Sequence, residues 1–417
     1  MWTTMKYLLK AASATVITLC TFSVSATNGY FAHGYGEANR ALAGAGTAYG
    51  FDAISSLNNP ASALQIDDQF QFELAIFSPK RGFNVTGQMA PPPAFSLALG
   101  EVESGNEYFI IPGFGWKTQL SEDSSFNLAV YGNGGMNTEY ESSVFYGSNA
   151  GVDLSQLFVN FGYAKQINTD LALGVAPIFA IQRFAATGLE AFGQFSSDAS
   201  SLTNKGHEIT TGFGLKLGMT YQLTDSLTIG STYQSTIKMD KFSDYSGLFA
   251  EGGSFDIPSN FSLSSVYEWS NGSLFALDLQ RINYSEVKSI ANPLMPNIMQ
   301  SQLGQSGGAG FGWQDIDVIK VGYQFQLADI TYRLGLSHGE QPIPESEMLF
   351  NILAPGVQEI HYTAGIVVDD LSISLMYSPK SKVAGPNPLT CDPVNGQCAQ
   401  NINLYMSQVQ LSFGYRF

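Results

Sequence analysis

Charged side chains are scarce in this chain of 417 residues, where they make up 13% of the total, against about a quarter in ordinary soluble domains. Basic residues are the scarcer kind: 19 Lys and Arg stand against 35 Asp and Glu, and the formal net charge is −16. A chain of that charge repels the phosphates of nucleic acids. The composition therefore excludes nucleic-acid binding from the expected functions.

Long apolar runs are also missing. Lys6 and Lys10 precede an apolar stretch over 11–22, and residues 23–26 are small, as a signal peptidase requires. The stretch is shorter than the ~20 residues of a spanning helix. Residues 1–26 are therefore predicted to be a secretory signal peptide rather than a membrane anchor. No later stretch approaches the length of a spanning helix.

Cysteine is nearly absent, with three in the chain. Cys391 and Cys398 lie in a segment rich in Pro, Asn and Gly, and export would place them in an oxidising compartment. A disulfide between them is predicted. Two thiolates without a nearby histidine do not complete a zinc site, so neither a metal nor another cofactor is expected.

What the chain has in abundance is alternation of apolar with polar or small residues, the pattern of a half-buried β-strand. In the last nine residues Val409, Leu411, Phe413, Tyr415 and Phe417 form the apolar series. Fourteen such segments have the approximate bounds 69–79, 108–120, 125–138, 153–166, 170–185, 207–223, 226–242, 257–270, 273–289, 313–327, 330–340, 358–368, 371–383 and 403–417.

Short and long connections alternate between these segments. Polar turns such as 168–169 and 328–329 are followed by long connections such as 186–206 and 341–357. This order is typical of an antiparallel barrel with tight periplasmic turns and long external loops. An even number of strands lets the last pair with the first, so no edge is left open in lipid. The prediction is an all-β fold: a transmembrane antiparallel β-barrel of about 14 strands over 69–417, in the outer membrane of a Gram-negative bacterium.

Strand parity also assigns the two faces of the wall. Ile237 is predicted to face lipid, on a strand over 226–242, while Lys320 and Arg333 are predicted to face the lumen. Counting back from the turn at 328–329 pairs Arg333 with Gln324 and Lys320 with Ser337. Two cations are thus expected inside the barrel.

A barrel of fourteen strands is too wide for wall side chains to fill, since about eight strands is the size that packs solid. Residues 27–68 precede the first strand, are rich in Gly and Ala, and show little alternation. They are predicted to form an N-terminal plug in the lumen. An open polar porin is the alternative.

The predicted plug resembles that of a known family. Gly29-Tyr30-Phe31, the run 39–46 (NRALAGAG) and Asn58-Asn59-Pro60-Ala61 are similar in order and spacing to the N-terminal hatch of the FadL family. Its members are outer-membrane transporters of long-chain fatty acids and other hydrophobic molecules. The run 131–137 (YGNGGMN) in the third strand and the terminal Phe417 add to the resemblance, which extends over the whole mature chain.

The resemblance implies passive transport with a lateral exit. A hydrophobic substrate would enter among the external loops and reach a pocket in the lumen. A hatch at Asn59, Pro60 and Ala61 would then shift, and the substrate would leave into the membrane at a kink in the third strand. Glycines weaken a strand and let it bend, so Gly132, Gly134 and Gly135 are the candidates for that kink. Alternatively, these glycines only fit a tapered wall.

The substrate is less clearly indicated. Fatty-acid transporters of the family hold the head group with basic residues, one of them before the tenth strand, but here 306–313 contain no Lys or Arg. Lys320 and Arg333 are the candidates for binding the carboxylate, unless they pair with lumen carboxylates such as Asp278. Long-chain fatty acids are the expected substrate, and uncharged aromatic or aliphatic hydrocarbons are the alternative.

The other expected partners are outer-membrane lipid, lipopolysaccharide and the barrel-assembly machinery, which would bind Phe417. A monomer is expected. An outer-membrane lipase is the alternative of another class, because the run 335–339 (GLSHG) matches G-x-S-x-G. That motif requires a strand–turn–helix, whereas here it ends an antiparallel strand. No enzyme activity is therefore expected.

Overall fold

The structure is a computed structural model that describes residues 28–417. The predicted signal peptide lies outside these residues. Sixteen strands form one antiparallel sheet. They are β1 (Gln69–Gly87), β2 (Gly100–Glu103), β3 (Phe109–Ser121), β4 (Ser124–Glu139), β5 (Gly151–Gln166), β6 (Leu171–Thr187), β7 (Glu208–Thr224), β8 (Leu227–Gln234), β9 (Lys238–Met239), β10 (Asn260–Glu268), β11 (Leu274–Ile282), β12 (Ile316–Leu327), β13 (Ile330–Gly339), β14 (Ile360–Val368), β15 (Leu371–Pro386) and β16 (Gln400–Arg416).

Fourteen of these strands close a barrel, as predicted. Neighbouring strands pair in chain order, and β16 returns to β1 over the register from Gln71↔Arg416 to Gly87↔Gln400. The two short strands, β2 and β9, extend the ladders of β1 and β7. Closure leaves no open strand edge in lipid.

The alternation along β1 shows why these residues form a membrane wall. Phe72 and Leu74 are 52% and 42% exposed on the lipid side, whereas Gln71 and Glu73 between them are buried on the lumen side. This part of β1 thereby presents an apolar face to lipid and a polar face to the interior, whereas farther along the strand Ala75 and Phe77 make the inner face apolar. The predicted register at the inner cations is confirmed, because Gln324 pairs with Arg333 and Lys320 with Ser337.

Three strand ends, each by seven residues or more, and one facing differ from the predictions. β11 ends at Ile282 rather than at 289. β1 continues to Gly87, well beyond the expected end at 79. β8 ends at Gln234, and Ile237 is completely buried rather than lipid-facing. The chain leaves the ladder after Gln234 and turns inward, where Ile237 forms a bridge with Ile257. Parity predicts a facing only while the ladder continues.

Short helices occupy the N-terminal segment and the long connections. No helix of the described residues is long and apolar enough to cross a membrane. Cys391 and Cys398 are joined in a disulfide. The α-helices are Glu37–Ala41, Ala250–Gly253, Lys288–Ala291, Asn297–Gln300 and Met348–Asn351, and the 3-10 helices are Ser55–Leu57, Pro60–Gln65, Glu190–Phe195, Ala199–Ser201, Tyr284–Glu286, Glu345–Glu347 and Pro388–Thr390.

Residues 28–66, the N-terminal segment, are almost wholly buried against the inner face of the wall. A buried ion pair of 3.0 Å joins Arg40 to Glu73 of β1. Asp278 of β11 accepts hydrogen bonds from the backbone N–H of Gly46 at 2.7 Å and of Thr47 at 3.1 Å. These contacts satisfy backbone donors of a segment that has little regular structure of its own.

Candidate functional site

An apolar chamber lies at the external end of the barrel. Its walls come from the ends of β5 and β6 and from four long connections, and none of its lining residues carries a charge. Apart from the Ser289 hydroxyl, the side chains of this lining offer a ligand only apolar burial. The lining residues are Val152, Phe184, Leu189, Phe192, Leu202, Leu248, Phe249, Ser289, Leu303, Ala309, Gly310, Phe311, Phe350 and Leu353.

Phe192 contacts three other aromatic rings at one side of this chamber. Its ring centroid lies 5.4 Å from that of Phe145 and 5.2 Å from those of Phe95 and Phe350. Two of these contacts are edge-to-face, an arrangement that the quadrupoles of aromatic rings favour. Residues from three separate connections thereby fix one side of the chamber.

A second cavity, the arginine pocket, lies between β1, β3, β4 and the N-terminal segment. The pocket adjoins the apolar chamber: Leu353 lines the chamber, and the next residue, Ala354, lines the pocket. Its lining is mostly apolar, with Arg81 as the one charged member: Gly29, Phe77, Pro79, Arg81, Phe109, Gly135, Met136, Asn137, Trp313, Ala354, Pro355, Gly356 and Met406.

The wall is irregular next to the arginine pocket. The register between β4 and β5 shifts between Gly132 and Gly134, where a β-bulge bends the strand. On the other side, the ladder that joins β4 to β3 ends at Tyr131↔Gly113. Beyond that point the N-terminal segment takes the place of β3: Ala32 N–H donates to Asn133 O at 2.9 Å, and Gly135 N–H donates to Tyr30 O at 3.0 Å.

Gly132, Gly134 and Gly135, the residues predicted to form a kink, therefore lie at a real irregularity of the third barrel strand. The structure shows the bulge and the end of the β3–β4 ladder there. Gly135 also lines the arginine pocket. A lateral opening at this place stays a prediction, and residues 30–32 occupy it in the structure.

Asn59, Pro60 and Ala61 are completely buried, toward the end of the barrel with the short turns. The Asn59 side chain donates to Met219 O at 3.0 Å and accepts from Ala61 N–H at 3.1 Å, so it caps the following 3-10 helix and ties it to β7. Glycine in the wall makes this close approach possible: a Cβ on Gly218 would lie 2.1 Å from Asn59 Oδ1.

Replacing Gly218 by alanine is therefore expected to push Asn59 and Pro60 off the wall, at a cost of about 1–3 kcal/mol for overpacking. The N-terminal segment should become more sensitive to proteases added from the periplasmic side, while the barrel keeps its heat-resistant mobility in detergent gels. Gly105→Ala is the control, because a Cβ there meets nothing nearer than 3.8 Å. Equal protection of both variants would contradict the tight contact.

Lys320 and Arg333, the candidates for a substrate carboxylate, lie in polar surroundings. Lys320 donates to His33 O at 3.1 Å and lines a polar chamber. Arg333 forms an ion pair of 3.4 Å with Glu37. An alkyl chain would find little apolar surface beside Lys320, since the polar chamber is lined by Ala32, His33, Gly34, Tyr35, Gly44, Thr47, Asn58, Lys216, Thr232, Asn260, Ser262, Asp278, Gln280 and Lys320. Arg333 does not line this chamber, and its guanidinium lies 5.5 Å from the ring centroid of Phe51.

Burial in the barrel shifts the pKa of two titratable groups of the N-terminal segment. Burial lowers the pKa of His33 well below its usual value, and His361 and Arg40 lower that pKa further. Burial also raises the pKa of Glu37, although the Arg333 guanidinium opposes the shift. His33 is therefore neutral at physiological pH and adds no charge to the polar chamber.

Ser337, the serine of the G-x-S-x-G match, has a histidine neighbour but no access. Its Oγ lies 3.1 Å from His361 Nδ1, both side chains are buried, and neither lines the cavities described above. In residues 28–417 no hydrogen-bond partner holds His361 Nε2. A hydrolytic triad needs a third group that orients the imidazole, and a substrate that reaches the serine.

Comparison with known proteins agrees with this architecture. A family profile described as "Outer membrane protein transport protein (OMPP1/FadL/TodX)" matches residues 17–367. No curated protein sequence matches the chain.

Several solved structures share the fold. The toluene transporter TodX of Pseudomonas putida is 18% identical, with a TM-score of 0.64 over 92% of this chain and 98% of that one. A FadL homologue of Pseudomonas aeruginosa is 14% identical, with a TM-score of 0.64 over 95% and 99%. The toluene transporter TbuX of Ralstonia pickettii is 15% identical, with a TM-score of 0.59 over 92% and 99%. Because the profile spans most of the sequence, the chain belongs to the OMPP1/FadL/TodX family and is an outer-membrane β-barrel transporter of hydrophobic compounds in a Gram-negative bacterium.

Proposed function

We propose that this barrel carries hydrophobic molecules by passive diffusion from the apolar chamber to the arginine pocket, and from there sideways into the membrane between β3 and β4. The observation that supports this route is the pairing of residues 30–32 with β4, at the point where its ladder with β3 ends. Two backbone hydrogen bonds to β4 and the packing of Tyr30 against Tyr284 and Trp313 hold this short segment in place, so its displacement is the step that opens the proposed exit.

The N-terminal segment is the plug of this proposal. Its fixed contacts, the Arg40–Glu73 ion pair and the bonds to Asp278, hold its middle part to the wall, whereas residues 30–32 contact β4 at the proposed exit. Asn59, Pro60 and Ala61 close the periplasmic end. Movement of residues 30–32 alone would connect the arginine pocket with the lipid phase and leave the aqueous seal in place.

Long-chain fatty acids are the substrate that we propose first, and uncharged hydrocarbons are the alternative. The uncharged apolar chamber accepts the alkyl chain of a fatty acid and a hydrocarbon equally well. Similarity of the fold to the toluene transporters TodX and TbuX favours the alternative, and similarity to a FadL homologue favours the first. Contact with lipopolysaccharide, a monomeric state and binding of the assembly machinery by Phe417 stay predictions.

Uptake measurements test the proposal. In cells that lack their own transporter, expression of the chain should raise the uptake of labelled oleate or toluene. Phe192→Asp places an unpaired carboxylate in the apolar chamber, and because such burial costs roughly 1–3 kcal/mol or more, we expect about tenfold lower uptake of either compound.

Gln194→Asp is the matched control for this variant. It introduces the same carboxylate on the same short helix, Glu190–Phe195, but at an exposed position. Its uptake should equal that of the unmodified protein. Equal uptake by the Phe192→Asp variant would show that the substrate does not pass through the apolar chamber.

A further inference from the structure

Arg81 is a buried cation with an unusual set of partners. It is 2% exposed and faces the lumen from β1. Its guanidinium donates to the backbone oxygens of Asn137, Pro79 and Asn106 and to Asn137 Oδ1, the last two at 2.8 Å. All of these acceptors are neutral, so they fix the position of the guanidinium without cancelling its charge.

No carboxylate of residues 28–417 forms an ion pair with Arg81. The other buried arginines differ in this respect, because Arg40 pairs with Glu73 at 3.0 Å and Arg333 with Glu37 at 3.4 Å. A buried charge is stable only when it is paired or well hydrogen-bonded, and a missing counter-ion is costly. Glu107 and Glu139 act on the guanidinium electrostatically but form no ion pair with it, so the Arg81 site favours a negative charge in direct contact that comes from outside the chain.

The guanidinium also has a donor to spare. It carries five N–H groups, and the four hydrogen bonds above use four of them, which leaves one on Nη2. The ring of Phe109, whose centroid lies 5.5 Å from Arg81 Cζ, holds the group in place. Arg81 is thus prepositioned to donate to one further acceptor.

The surroundings specify what that acceptor belongs to. Arg81 lines the arginine pocket together with Phe77, Met136, Trp313 and Met406, so the negative group must be attached to an apolar body. Lys320 differs, because the cavity beside it is polar. Of the lumen cations in residues 28–417, Arg81 is the one that combines a missing counter-ion with a mostly apolar cavity next to the apolar chamber.

We propose that Arg81 binds the carboxylate of a long-chain fatty acid in the arginine pocket and thereby makes the transporter selective for carboxylates over uncharged hydrocarbons. This inference rests on the proposed function, since it assigns the substrate class of the same route. The carboxylate accepts the spare hydrogen bond and neutralises the guanidinium, while the alkyl chain extends into the apolar chamber. A hydrocarbon can fill the same space but leaves the charge unpaired.

Trp313 provides a direct binding assay, because it lines the same pocket. In purified protein with Trp116→Phe and Trp269→Phe, quenching of Trp313 fluorescence is measured with dibromostearate and with its methyl ester, which has the same chain but no charge. Since a hydrogen bond to a charged group contributes about 1.5–3 kcal/mol, the acid should bind roughly tenfold to a hundredfold more tightly than the ester. Arg81→Met should abolish this difference and Arg81→Lys should keep part of it.

The controls separate failure of this inference from failure of the proposed function. Lys80→Met removes the neighbouring, outward-facing cation and should leave both affinities unchanged. Unchanged ester binding by the Arg81→Met variant shows that the pocket is intact. Equal binding of acid and ester by the unmodified protein, or an acid preference that survives in Arg81→Met, would overturn the role of Arg81. If neither compound quenches Trp313 and neither oleate nor oleyl alcohol is taken up by cells, the proposed route itself fails.

Discussion

A disulfide between positions 31 and 134 is expected to reduce the uptake of oleate and of toluene to the level of cells without the transporter. Phe31 and Gly134 are bridge partners, and their neighbours form the flanking hydrogen bonds, so they are a non-hydrogen-bonded antiparallel pair. Cα atoms of such a pair lie about 4.5 Å apart, within the range that a disulfide spans. In a Phe31→Cys, Gly134→Cys variant the bond would fix the N-terminal segment across the proposed exit.

Uptake by the oxidised double-cysteine variant is compared with uptake by the same variant after reduction. Uptake should return when a thiol reductant is added, and each single variant should transport in both states. Leu74→Cys with Phe413→Cys is the matched control, because it cross-links β1 to β16, which are neighbours in the wall. The reductant also breaks the Cys391–Cys398 bond, and this control shows whether that loss alone changes uptake. Full uptake by the oxidised 31–134 variant would place the exit elsewhere.

Breaking the Arg40–Glu73 ion pair is expected to open the barrel to ions. Both side chains are almost fully buried, at 4% and 0% exposure, and their contact ties the N-terminal segment to β1. Arg40→Met leaves the Glu73 carboxylate without its counter-ion, and removal of one partner from a buried pair costs about 3–5 kcal/mol. We expect the segment to leave the wall part of the time and planar-bilayer recordings to show a large conductance.

A double variant separates loss of the pair from loss of the charge balance. Arg40→Met with Glu73→Met replaces the ion pair by apolar side chains, which is often nearly neutral, so its conductance should fall back toward that of the unmodified barrel. Arg281→Met removes an exposed arginine that pairs with Asp315 and Asp317 and should have no effect. A closed barrel in the Arg40→Met variant would contradict the plugging role of the segment.

The sequence predicted the barrel well because its physical signal is local. Alternation along each strand, together with short turns such as 328–329, determines both facing and register, and the pairing of Lys320 with Ser337 follows from counting alone. The alternation no longer predicts which way a side chain faces once the chain has left the strand ladder. Ile237 shows this, because it lies three residues beyond Gln234 and turns into the core.

The candidate site was predicted less completely, because its residues come together only in the fold. Phe192, Leu303 and Phe350 belong to three connections without alternation, so no sequence pattern assigns them to one chamber. Arg81 was missed for a different reason. Pro79 and Gly82 are residues that often end a strand, so the strand was predicted to end at 79. In the structure β1 continues with the same alternation, and Arg81 lies on the lumen side. If the alternation of inward and outward residues had been continued past Pro79, Arg81 would have been assigned to the lumen.

The contacts of the N-terminal segment also constrain the order of folding. Ala41 O accepts from Thr363 of β14, 322 positions later, and the Asp278 bonds to Gly46 and Thr47 span more than 230 positions. Contacts of such high sequence separation form late. Because the segment precedes its binding partners in the chain, it has to stay undocked until the strands that bind it are in place. Assembly of this protein is therefore a capture event, in which closing the barrel and enclosing the plug happen together.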